Sequence, residues 1–225
     1  MDDSVDVPSL TRWIQEFHRA IAVHKALLTQ LDSAIGDADH GINLDRGVQA
    51  VLAALDTHPP AQVCELLRDV ATTVLSAVGG ASGALYGTFF LRMATAAGPQ
   101  PALGGVAFAQ ALRAGLQGVA QRGKAVVGDK TMVDALAPAL DALDAALAEG
   151  AGLGPALHRA AVAAQAGRDA TVPMLARKGR ASFLGERSIG HQDPGATSAA
   201  LLIAAAATVF GDPVFADPGF TDTVG

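Results

Sequence analysis

Apolar residues recur along this chain at helical spacing, and no stretch alternates with the period of two that a half-buried strand needs, so the chain must fold as packed helices. Leu10, Trp13, Ile14, Phe17, Ile21 and Leu28 trace one face of a first helix, with Ser9 as its expected N-cap and Gly36 as its stop. Further helices are expected from about Asn43 to Asp56, from Ala61 to the glycines Gly79 and Gly80, and over Gly83 to Ala97. Four more should follow over Ala107 to Gln121, Met132 to Ala148, Leu157 to Leu175 and Ala196 to Phe210, which makes eight. Pro138 and Pro173 fall inside two of these patterns and mark a late start or a kink. Hydrophobic residues make up 50% of the chain and aromatics only 4%, so the core is built from small aliphatic side chains that let helices approach closely. The expected fold is all-α: one antiparallel bundle of eight helices spanning residues 1–225, with a loosely held tail over about 212–225.

In such a bundle every second connection emerges at the same end. Four segments rich in glycine and polar residues, Gly36 to Gly47, Val78 to Gly83, Arg122 to Thr131 and Arg177 to Gly195, follow helices one, three, five and seven. All four therefore converge on one end, where a single ligand could touch each of them.

The first of these carries the densest chemistry. The run LDSAIGDADHGINLDRG, Leu31 to Gly47, places Asp32, Asp37 and Asp39 close together, followed by His40, Gly41 and Asn43 at an expected helix start. Three adjacent carboxylates repel one another unless a cation lies between them. Oxygen-only donors favour Mg2+ or Ca2+, and Mg2+ commonly takes its remaining ligands from phosphates. An EF-hand is excluded, because the position of its bidentate Glu falls on Val48 or on Asn43. The same aspartates would also serve as helix caps and turn formers. GGASG, Gly79 to Gly83, suits either a phosphate at a helix start or tight helix packing. Gly118 to Ala125 imitates a P-loop, but Ala125 lacks the metal-binding hydroxyl and the match ends a helix instead of opening one. Gly123 and Lys124 remain candidates for the same face. Arg177, Lys178, Arg180 and Arg187 gather cations in a chain of net charge -6, which points to a bound anion or to a solvated basic face. His191 reads as a structural hydrogen-bonder.

Composition narrows the partners. The acidic balance argues against nucleic acid, and the longest apolar stretch, Ala199 to Phe210, is too short to span a membrane. Cys64 is alone, so it reads as a small buried hydrophobe in a reducing compartment. The acidic start carries no secretory signal, and a cytoplasmic protein is expected.

Taken together, GDADHGINLDRG, GGASGALYGTFF, RGKAVVGDKTM and ARKGRASFLGERSIGHQDPGATS resemble the nucleotide-binding L subunit of bacterial dihydroxyacetone kinases and the related domain of ATP-dependent dihydroxyacetone kinases. The resemblance runs from about residue 10 to 205. It implies a barrel of eight antiparallel helices with a nucleotide site at one end. It implies that Asp32, Asp37 and Asp39 bind two Mg2+ ions, which hold the phosphates of ADP or ATP. His40, Gly41, Ile42, Asn43, Ala81, Ser82, Gly123, Met132, Arg180, Asp193, Pro194 and Gly195 would contact the nucleotide, with Arg180 also acting on the transferring phosphoryl group. In the phosphotransferase-system version ADP stays bound, is recharged by a phosphohistidine on a partner protein, and passes its γ-phosphoryl to dihydroxyacetone held on a separate K subunit. Alternatives are a kinase subunit for another short ketose, or a nucleotide-loaded protein that signals to a transcription regulator. Asp45 at a variable motif position and the long tail depart from the pattern without touching the site.

Overall fold

The structure, a computed structural model, describes residues 4–211, so the expected loose tail over 212–225 lies outside the described residues. Among the described residues are eight α-helices: α1 (Val7–Ile35), α2 (His40–Thr57), α3 (Val63–Ala77), α4 (Gly80–Ala97), α5 (Gly105–Gly123), α6 (Met132–Ala148), α7 (Leu153–Ala170) and α8 (Pro194–Phe210). Two short 3-10 turns over Arg180–Ser188, separated at Gly185, interrupt the α7–α8 connection.

The helix count matches the periodicity, while several ends do not. The N-cap of α1 is Asp6, not Ser9; Asp6 accepts from Ser9 N at 2.9 Å and its own N–H donates back to Ser9 Oγ at 2.9 Å, a reciprocal capping box. Helices α2, α4, α7 and α8 begin two to four residues before the expected starts at Asn43, Gly83, Leu157 and Ala196, because their first turns carry glycine, proline and cleft-facing polar groups. Helix α7 stops at Ala170, ahead of Pro173, where Thr171 Oγ1 turns back to the Arg168 carbonyl at 2.6 Å. Pro138 lies inside α6, near its start. A small strand pair, β1 (Val5–Asp6) and β2 (Ala102–Leu103), pairs antiparallel with Val5 opposite Leu103. Strands of two residues carry no readable alternation, which is why the sequence shows none.

Each helix packs on the next in the chain, and α8 packs on α1, α6 and α7, so the order closes on itself. Helix α8 is apolar nearly all round, and Ala199, Ala200, Leu202, Ile203 and Ala206 are buried, as a helix with neighbours on several sides requires. Small residues set the spacing: a Cβ at Gly167 of α7 would fall on the Asp134 carbonyl of α6, so only glycine permits that approach. Among the described residues the aromatics other than Phe183 cluster around the first half of α1. Trp13 lies 5.9 Å from Phe90 and 5.7 Å from Phe108 between ring centroids, and its indole N–H donates to the Leu202 carbonyl at 2.9 Å. Helix α1 thus runs from an aromatic anchor at its start to the polar connection at its end. Among the described residues no helix is long and apolar enough to cross a membrane.

Candidate functional site

The connections after α1, α3, α5 and α7 do meet, and together with the neighbouring helix ends they enclose a cleft of about 380 Å³. Its lining comes from within Asp32 to Asn43 on one side, from within Gly79 to Tyr86 on another, from within Val119 to Val133 on a third, and from Lys178 to Ala181 with Asp193 to Gly195 on the fourth. The three non-glycine residues held at positive φ, Ala38, Lys124 and Lys130, all fall in two of these connections. Backbone strain of that kind persists where the surroundings fix the loop, and it concentrates at functional sites.

Helix α1 delivers Asp32, buried, in its last turn, and Gly36 ends the helix because a side chain there would collide with the Asp32 carboxylate. Asp32 Oδ2 accepts from Asp39 N at 2.8 Å and His40 N at 3.1 Å and so caps α2 from outside it. Ala38, at φ 62°, turns the chain so that Asp37 and Asp39 both face Asp32. One oxygen from each of the three lies within 4.8 Å of the others. The capping role thus falls to a single oxygen of the set. Only Asp32 Oδ2 is engaged by main-chain N–H groups, so the set still offers oxygen ligands to a hard cation.

His40 links three elements. Its Nδ1 is 2.9 Å from Ser82 Oγ and its Nε2 is 2.9 Å from Ser198 Oγ, which also takes Tyr86 OH at 2.7 Å. Burial pushes the His40 pKa down despite Asp32 and Asp39 nearby, which favours the neutral ring, and both ring nitrogens have hydrogen-bond partners. Asp193 is the N-cap of α8 and accepts from Ala196 N at 2.7 Å. Burial, with Asp134 and Asp32 adding repulsion, lifts its pKa to about 7.

The fourth wall brings the cations. Arg180 reaches across the cleft to Asp37 Oδ2 at 2.9 Å, with its side chain 67% exposed. Lys178 also lines the cleft, while Arg177 and Arg187 are exposed and stand outside it. The basic segment is thus split, half toward the site and half toward solvent. GGASG divides in the same way: Gly79 to Ser82 open on the cleft, and Gly83 packs against the Val78 carbonyl. Of the residues singled out from the sequence, Asp32, Asp37, Asp39, His40, Asn43, Ala81, Ser82, Gly123, Met132, Arg180, Asp193, Pro194 and Gly195 all line the cleft. Gly41 and Ile42 do not: Gly41 presses on the Lys25 carbonyl of α1, and Ile42 is exposed. Lys124 is exposed at the left-handed end of α5, and His191 contributes its main-chain carbonyl to Lys130.

Sequence reasoning passed over Tyr86, Ser198, Lys130 and Asp134. The last was detectable, since Thr131-x-x-Asp134 is a capping-box pattern, and Asp134 accepts from Thr131 N at 2.7 Å. Lys130 carried no such signal, because a lone lysine between polar residues reads as solvated.

A helical domain with a carboxylate trio, glycine-rich helix starts and an arginine across one cleft is equipped to hold a metal and phosphates, and this chain belongs to the DAK2 domain family, which matches residues 34–208. It is 42% identical over 195 residues to the PEP-dependent dihydroxyacetone kinase, ADP-binding subunit DhaL, of Escherichia coli (strain K12), over 87% of this chain and 93% of that one. It is 41% identical over 196 residues to the PTS-dependent dihydroxyacetone kinase, ADP-binding subunit DhaL, of Lactococcus lactis subsp. lactis (strain IL1403), over 87% and 94%. The crystal structure of the dihydroxyacetone kinase from C. freundii in complex with AMP-PNP and Mg2+ aligns with a TM-score of 0.67 at 26% identity. That alignment covers 88% of this chain and 33% of the kinase, so the chain corresponds to about a third of it.

Proposed function

We propose that this chain is the nucleotide-carrying subunit of a dihydroxyacetone kinase, holding ADP or ATP with Mg2+ in the cleft and passing the γ-phosphoryl to dihydroxyacetone on a separate substrate-binding K subunit. The observation that carries this reading is the trio Asp32, Asp37 and Asp39, gathered within 4.8 Å beneath an arginine that reaches them from the opposite wall. An all-oxygen donor set suits Mg2+, and these three residues would hold two ions, which when bound neutralise and orient the phosphates.

The chain's own residues do the remaining work. The starts of α2 and α4, with His40, Asn43, Ala81 and Ser82, aim helix N-termini at the cleft, where phosphate is favoured. Gly123, Met132 and Asp193 to Gly195 form the walls against which the rest of the nucleotide would lie. Arg180 presents a planar fork to charge that spreads over three equatorial oxygens during transfer. In that step the substrate hydroxyl oxygen bonds to the γ-phosphorus as the bridging bond to ADP breaks. The hydroxyl proton must leave to a base on the K subunit, since both nitrogens of His40 are engaged and Asp193 caps α8. Relatives named PEP-dependent and PTS-dependent support a phosphohistidine partner that recharges retained ADP, and with it a cytoplasmic setting. The test is to assay purified protein for bound ADP and Mg2+, then to measure transfer to dihydroxyacetone with the K subunit added. Protein that binds no nucleotide in excess Mg2+ overturns the reading.

A further inference from the structure

We infer that Lys130 is a positioning residue for the transfer step: its buried ammonium clamps both ends of the α7–α8 connection and so fixes where Arg180 stands. Lys130 is 1% exposed, and its side chain leaves the α5–α6 connection to enter the base of the neighbouring one. There Nζ lies 2.7 Å from the Thr171 carbonyl, 3.3 Å from that of Val172 and 3.1 Å from that of Met174, all just after α7, and it also donates to the His191 carbonyl just before α8. Three N–H donors meet four carbonyls from the two ends of one loop. The charge makes each bond stronger than a neutral one, and the lost hydration of the ammonium is replaced by carbonyl dipoles.

Between those ends the loop has lighter ties: Ala176 and Ala181 pack with Leu184 on Ile35 of α1, and Ser188 Oγ accepts from Ala176 N at 3.0 Å. Gly190 N donates to the Val172 carbonyl at 2.8 Å and Arg177 N to the Asp129 carbonyl at 3.1 Å, while Gly179, Gly185 and Gly190 sit at positive φ, where glycine leaves the chain loose. Phe183, on the turn that follows Arg180, is 87% exposed and so adds little anchoring among the described residues. Arg180 is itself mostly exposed, so its place over Asp37 is set by the main chain that carries it, which Ala181 seats on Ile35 and Lys130 secures at the base of the loop. A misplacement of about 1 Å is enough to slow a transfer on the order of a hundredfold.

The inference rests on the phosphoryl-transfer reading, and two measurements on the full-length protein keep the two apart. The first needs no activity. Lys130→Met should speed tryptic cleavage after Arg177, Lys178, Arg180 or Arg187 by about tenfold or more, and an unchanged rate overturns the clamp. The second is a double-mutant cycle on single-turnover transfer. Lys130→Met should slow transfer by about tenfold while the Kd for ADP with Mg2+ moves by less than about threefold, and in an Arg180→Ala background the same change should add less than about twofold. Additive losses, or loss of ADP binding in step with loss of rate, overturn the positioning role. Wild-type protein that transfers nothing overturns the functional reading, and the cleavage rates still decide the clamp. If Lys130→Met does not fold, Lys130→Gln, which keeps two donors, takes its place in both measurements; failure of both to fold makes Lys130 a core residue and overturns the inference.

Discussion

At Asp193 two physical demands conflict. As N-cap of α8 its carboxylate accepts from Ala196 N at 2.7 Å, which favours the charged form, yet burial near Asp134 and Asp32 raises its pKa to about 7. Between pH 4 and 7 the folded chain therefore keeps a proton that the unfolded chain has released. By linkage, the metal-free protein loses stability as pH rises through that window and levels off above it. Asp193→Asn keeps the capping oxygen and removes the ionisation, so its melting temperature should pull ahead of wild type from pH 4 to 7, reaching a lead of about 5 °C or more by pH 8. Thermal melts in EDTA across that range check it; a lead that does not vary with pH would place the effect elsewhere. Arg180 poses a different question, because its pair with Asp37 is exposed and adds little to stability. Arg180→Lys keeps the charge but not the planar fork, so ADP should bind nearly as before while single-turnover transfer to the K subunit slows by about tenfold, on the order of 1.4 kcal/mol of transition-state stabilisation. Equal rates for the two proteins would remove Arg180 from the chemistry.

The connection from α1 to α2 is assembled from main-chain constraints and carries its function in side chains, so the two can be separated. Asp37 makes no cap, whereas Asp32 does. Asp37→Ala should therefore abolish retention of ADP with Mg2+ and leave the helical circular dichroism within about 5% of wild type. Helical signal lost while nucleotide remains bound in the folded fraction would show that the loop is a structural turn. The same distinction explains what the sequence discloses. Helices were legible because burial imprints a 3.6-residue period on Leu10, Trp13, Ile14 and Phe17, and the cleft was legible because chain order alone sends the odd-numbered connections to one end. Helix starts were not, since His40 and Gly80 begin helices without an apolar cue and Asp6 takes the capping role that Ser9 suggests. Residues that support the site were hidden for a related reason. Ser198 and Tyr86 lie among apolar neighbours on α8 and α4, and only the fold carries them to His40.

For the whole molecule, closure of α8 onto α1 gives a rigid, alanine-rich frame whose polar groups are concentrated at one end. That frame buries Asp32 and Asp193 close enough to repel each other, which costs stability when nothing neutralises them. A bound Mg2+–nucleotide complex should relieve that repulsion and, because it binds only the folded state, raise stability by mass action. At about a hundredfold over its dissociation constant the complex adds roughly 2.7 kcal/mol. For a chain of this size each kcal/mol moves the midpoint by about 2 to 4 °C, so stripping the ion with EDTA should lower the melting temperature by roughly 5 to 11 °C. Mg2+ and ADP added back together should restore it, and the Asp37→Ala protein should show neither the fall nor the recovery. A melting curve unchanged after verified removal of the metal would mean that the three aspartates are held by the fold alone, and the metal–phosphate reading of the cleft would fall with it.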